Sequence, residues 1–96
     1  MDLIECRFEC PMCRKMKLTF ATQEKLDELE NTNDKIQTIF PKPKFDPDYT
    51  EIFISNTCNS CWGKLFNEET KMFSADIHNS DEIREVRANC EKMYNE

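Results

Sequence analysis

The chain has 96 residues, a single glycine, six cysteines and a net charge of −6. A chain this short buries a smaller share of its surface than a larger domain does and often depends on a metal, disulfides or a partner for stability. Its charge opposes general binding to nucleic acid, no apolar run approaches the ~20 residues that span a bilayer, and one glycine leaves no phosphate-cradling loop.

The length predicts one domain over residues 1–96. Residues 1–20 read as a hairpin: Leu18-Thr19-Phe20 alternates like a strand, and the turn falls around Cys10–Arg14. Residues 21–55 read as a helical insert. Thr22 caps a helix carrying Leu26 and Leu29 on one face, and Ile36, Ile39 and Phe40 form a second short turn stopped by Pro41. Two prolines in "PKPKFDP" predict an extended break. Asp46 before Pro47 is a helix start, with Tyr49, Ile52 and Phe53 facing inward. Residues 56–68 carry a second cysteine turn and a helix bearing Trp62, Leu65 and Phe66. No element is assigned to residues 71–79. Ser80 is expected to cap a helix over 80–95, where Ile83, Val86, Cys90, Met93 and Tyr94 form an apolar stripe.

Cys10-Pro-Met-Cys13 and Cys58-Asn-Ser-Cys61 are two C-x-x-C pairs. Two intervening residues let the chain turn so that both sulfurs face one ion, and two such pairs complete a tetrahedral sulfur site. That chemistry suits Zn²⁺ first and iron second. The 44 residues between the pairs exceed the ~15–20 of a compact ribbon. A redox dithiol is the rival, but no βαβ pattern surrounds either pair. Cys6 and Cys90 read as small buried apolar thiols.

A closed four-thiolate shell leaves no position for substrate or water, so it cannot act as a Lewis acid. His78, the single histidine, lies in a polar stretch and reads as a solvated loop residue. A non-enzymatic protein is expected. "MDLIECRFEC" has no basic segment followed by an apolar one, which predicts a cytoplasmic protein with no secretory leader. Three surfaces are candidates for contact. Glu24, Asp27, Glu28, Glu30 and Asp34 gather in the first helical region. Trp62, Phe66 and Tyr94 are aromatic candidates. Arg7, Arg14, Lys15 and Lys17 form a small basic patch that would serve a nucleic-acid-binding finger, although Glu5 and Glu9 interrupt it.

At "CPMC" and "TCNSCWGKLF" the chain resembles four-cysteine zinc-ribbon and treble-clef proteins. With "IQTIFP" and "EIFISNTCNSCWGKLF" it looks like the small zinc-finger proteins of bacteriophages and bacterial mobile elements, over roughly residues 8–68. It departs from the usual ribbon in having Arg14, not glycine, after the first pair. The resemblance implies an α+β fold: a zinc-stabilised hairpin, several short helices and an amphipathic C-terminal helix. It implies one structural Zn²⁺ on Cys10, Cys13, Cys58 and Cys61. It also implies regulation by protein binding, with inhibition of a host nucleic-acid machine (a CRISPR-type defence complex or the transcription apparatus) as the expected role. A redox or iron–sulfur protein is the further alternative. No small-molecule substrate is expected.

Overall fold

A computed structural model of the chain describes residues 2–31, 36–41, 43–66 and 71–95. It is a small α+β protein built on a three-stranded antiparallel sheet. β1 (Leu3–Glu9) runs against β2 (Met16–Thr22), with Leu3 opposite Thr22, Cys6 opposite Thr19 and Glu9 opposite Met16. Charged Glu5, Arg7 and Glu9 alternate along β1 with half-buried Ile4, Cys6 and Phe8, as an edge strand with one wet face requires. β2 is central and is buried on both faces from Leu18 to Ala21. It runs to Thr22, so the first two residues of the expected helical insert belong to the sheet.

The third strand lies in the stretch to which the sequence assigns no element. β3 (Ala75–Asp76) pairs Ala75 with Leu18 and Asp76 with Lys17. It is too short to carry a readable alternation. Beyond Leu18 the edge of β2 is met by side chains instead. The Tyr49 hydroxyl donates to the Phe20 carbonyl at 2.7 Å and shares a second 2.7 Å bond with the Tyr94 hydroxyl. A buried carbonyl left unpaired would cost about 1–3 kcal/mol, so the pair replaces a missing strand.

α1 (Gln23–Asn31) follows β2 at once, with Thr22 Oγ1 accepting from the Lys25 amide at 3.3 Å as a cap should. Its first turn holds Glu24, and Lys25 Nζ donates to the Ile39 carbonyl at 2.6 Å, tying α1 to α2 (Ile36–Ile39). The proline-rich break is not extended. The Phe45 amide bonds back to the Pro41 carbonyl at 3.2 Å, and Phe45 is driven into the core. Burying a phenylalanine contributes about 2–3 kcal/mol, enough to fold the segment over.

α3 (Pro47–Ser55) starts as its sequence dictates: Asp46 accepts from the Asp48 amide at 2.9 Å and Pro47 opens the helix. It stops at Asn56, which takes a left-handed φ of 58° and bonds to the Ile52 carbonyl. α4 (Asn59–Phe66) follows after two residues. α5 (Ser80–Asn95) buries Val86, Cys90, Met93 and Tyr94 on the expected stripe. Its cap lies one residue earlier than expected, since Asn79 Oδ1 accepts from the Glu82 amide at 3.1 Å. Between sheet and helices, Phe40, Phe45, Tyr49, Phe73 and Tyr94 meet in edge-on contacts with centroids 5.1–6.0 Å apart, forming the aromatic centre of the core. No helix among the described residues is long and apolar enough to cross a membrane.

Candidate metal centre

The sheet and α4 bring the two cysteine pairs together. The β1–β2 connection is a tight turn: the Arg14 amide bonds to the Cys10 carbonyl at 2.8 Å and the Cys10 amide to the Lys15 carbonyl at 3.1 Å. Arg14 closes it with a left-handed φ of 59°. That conformation explains why glycine is usual there, and a side chain raises its energy by about 1–2 kcal/mol. Cys10 is fully buried at the start of this turn and Cys13 is half-buried at its tip.

The second pair comes from a helix start. The Cys58 carbonyl accepts from the Trp62 amide at 3.0 Å, so Cys58 stands at the head of α4 and Cys61 lies in its first turn. Residues three apart on a helix share a face, which turns both sulfurs toward the knuckle. The four sulfurs of Cys10, Cys13, Cys58 and Cys61 all lie within 4.8 Å of one another. Cys13 and Cys58, from different pairs, approach to 4.0 Å. Zn–S bonds of 2.3 Å in a tetrahedron require sulfurs about 3.8 Å apart, so this cage fits such an ion with little adjustment. All six cysteines are free thiols.

The electrostatics point the same way. Burial opposes ionisation of Cys10, but the amides of Cys58, Cys13 and Met12 outweigh it and bring the thiol down to about 6. Geometry agrees, with the Cys58 amide 3.4 Å from Cys10 Sγ. Burial and the neighbouring sulfurs of Cys58 and Cys10 push Cys61 up to about 12. Burial raises Cys58 as well. The shifts run in opposite directions within one cluster, down at Cys10 and up at Cys58 and Cys61, as closely spaced groups of like charge require. A dication held among the four sulfurs would favour their thiolate forms.

Asn59, inside the second C-x-x-C, anchors this half of the site. Its Oδ1 accepts from the Phe73 amide at 2.6 Å and the Ser74 hydroxyl at 3.2 Å, and its Nδ2 donates to the Asp48 carbonyl at 2.9 Å. Its own amide donates to Ser74 Oγ at 3.0 Å. The sequence reading passes over Asn59. Its one signal is a strongly polar residue inside a C-x-x-C turn, where burial demands partners.

The other sequence candidates are dispersed. Glu24, Asp27 and Glu30 are exposed on α1, and Glu28 pairs with Lys25 at 3.4 Å. Asp34 lies outside the described residues. The Trp62 and Phe66 rings meet at 4.6 Å on α4, tilted by 55°, and Phe66 and Leu65 keep half or more of their surface exposed. Tyr94 is corrected as a contact residue: it is 6% exposed and its hydroxyl is committed to Tyr49. The basic patch is divided, since Arg7 pairs with Glu5 at 2.7 Å and Lys17 with Asp76 at 4.0 Å, while Arg14 and Lys15 stay exposed. Cys90 is buried, and Cys6 is half-buried with its thiol donating to the Ile4 carbonyl. His78 is exposed in a turn.

Comparison with protein-family models, with curated proteins and with solved structures returns no match.

Proposed function

We propose that this chain is a non-enzymatic zinc-binding regulatory protein that acts by binding another protein. The observation that carries the reading is the closed sulfur cage. Four cysteine sulfurs within 4.8 Å of one another would fill all four positions around a bound ion, which would then hold the two cysteine turns in place and offer no site to substrate. Metal binding then supplies a large part of the folding energy.

The contact surfaces of this reading are the acidic face of α1, with Glu24, Asp27 and Glu30 exposed, and the tilted Trp62–Phe66 pair on α4. Aromatic anchors with exposed apolar neighbours are the usual centres of binding energy at protein interfaces. A net charge of −6 suits a partner whose basic surface ordinarily holds nucleic acid. Together with the resemblance to phage-type zinc proteins, it favours inhibition of a host nucleic-acid machine in a bacterial cytoplasm.

A pull-down from bacterial lysate with the zinc-loaded chain tests this. A protein retained by the wild type should be lost from a Trp62→Ala/Phe66→Ala variant or a Glu24→Lys/Asp27→Lys/Glu30→Lys variant. Retention by both variants would remove these surfaces from the account.

A second reading, a nucleic-acid-binding finger, draws on one observation: Arg14 and Lys15 are exposed with no carboxylate at ion-pair distance among the described residues. It requires salt-dependent affinity for DNA or RNA, and absence of binding at low salt would eliminate it.

A further inference from the structure

A cleft of about 790 Å³ opens between the start of α3, the segment approaching β3, and the C-terminal half of α5. None of the six cysteines lines it. Its size falls within the range of small-molecule sites, about 300–1,000 Å³. We propose that it binds a small organic anion with an apolar body.

The apolar surface comes from Pro43, Pro47 and half-buried Met72, over a floor in which Phe45, Phe73 and Met93 are almost wholly buried by the core. The rim is basic. Lys44 and Lys92 are exposed there and have no carboxylate at ion-pair distance among the described residues. Lys44 Nζ stands 5.9 Å from the centroid of the Phe45 ring, so a cation sits directly beside the aromatic floor. Of the two acids in the cleft, Asp46 is already paired with Lys71 at 3.3 Å, which leaves Glu85 against two available lysines. In a chain of net charge −6 this is a local reversal of sign. An anionic head would meet the lysines while its apolar part lies on Pro43, Pro47 and Met72.

The wall is also held in shape. The Lys71 amide bonds to Asp48 Oδ2 at 3.0 Å, and the Met72 carbonyl accepts from Asn89 Nδ2 at 2.8 Å. Phe73 and Ser74 are fixed by Asn59. Four successive residues are thus tied by side chains of α3, α4 and α5, so binding need not order the wall first.

The probe is anilinonaphthalene sulfonate, added to the zinc-saturated full chain and followed by fluorescence and by amide chemical shifts. Its neutral analogue, phenylnaphthylamine, is the control. Saturable binding is expected, with shifts concentrated at Phe45, Met72, Phe73 and Asn89. Lys44→Glu/Lys92→Glu should weaken the sulfonate about tenfold or more and leave the neutral analogue within about twofold. Both substitutions are at exposed positions, and an unchanged near-ultraviolet dichroism spectrum confirms that the variant folds. Shifts centred on Trp62 and Phe66, affinity indifferent to the lysines, or unsaturable binding would each overturn the proposal.

Discussion

Asn59 Oδ1 accepts a 2.6 Å hydrogen bond from the backbone N–H of Phe73. This bond joins a residue between two cysteines of the sulfur cluster to the segment that leads into β3. The second knuckle is therefore fastened to the sheet from its inside.

Asn59→Ala leaves the Phe73 amide, the Ser74 hydroxyl and the Asp48 carbonyl without this partner. A cost of about 2–4 kcal/mol is expected, because buried groups lose their bonds outright. Ser60, one residue further and exposed, should tolerate alanine within about 0.5 kcal/mol. Urea unfolding of the zinc-loaded variants measures both, and equal stabilities would refute the role given to Asn59.

The tyrosine pair predicts an order. Tyr49→Phe removes the donor to the Phe20 carbonyl and the partner of Tyr94, and should cost about 1–3 kcal/mol. Tyr94→Phe spares the Phe20 bond and should cost less, about 1 kcal/mol. The double variant should fall short of the sum, since the shared bond is lost only once. A larger loss for Tyr94→Phe in denaturant titrations would reverse the assignment of the donor.

Burial pushes the Cys90 thiol up to about 11, from an ordinary 9.0. Its neutral form is favoured in the folded chain, so the unfolded chain ionises first as pH rises. The stability this contributes is intact below pH 9 and is lost as pH climbs toward 11. Cys90→Ala should flatten this alkaline decline while lowering stability at neutral pH through the small cavity it leaves. Parallel pH–stability curves for the two proteins would show that Cys90 does not drive the decline.

The clustering of Cys10, Cys13, Cys58 and Cys61 was legible because C-x-x-C spacing is a local signal whose meaning survives any fold around it. The Asp46-Pro47 start and the Val86–Cys90–Met93 stripe were legible for the same reason: cap chemistry and helical period are written within a few residues. What escaped the reading depends on distance along the chain. The two prolines before Phe45 suggested an extended segment, but the aromatic core captures Phe45 and bends it. β3 has two residues and exists only because Leu18 and Lys17 offer an edge. Asn79 and Ser80 are adjacent cap formers, and the choice between them turns on the Glu82 amide. Asn59 acquires its role from Phe73 and Ser74, which its own neighbourhood does not reveal.

The central claim is a single structural zinc held by Cys10, Cys13, Cys58 and Cys61, and metal analysis of the purified full chain tests it most directly. Elemental analysis should find one zinc per chain in the wild type and in Cys6→Ser, and loss of both metal and fold in Cys10→Ser and Cys58→Ser. A ratio well below one, equal damage from all three substitutions, or iron with visible absorbance in place of zinc would contradict it.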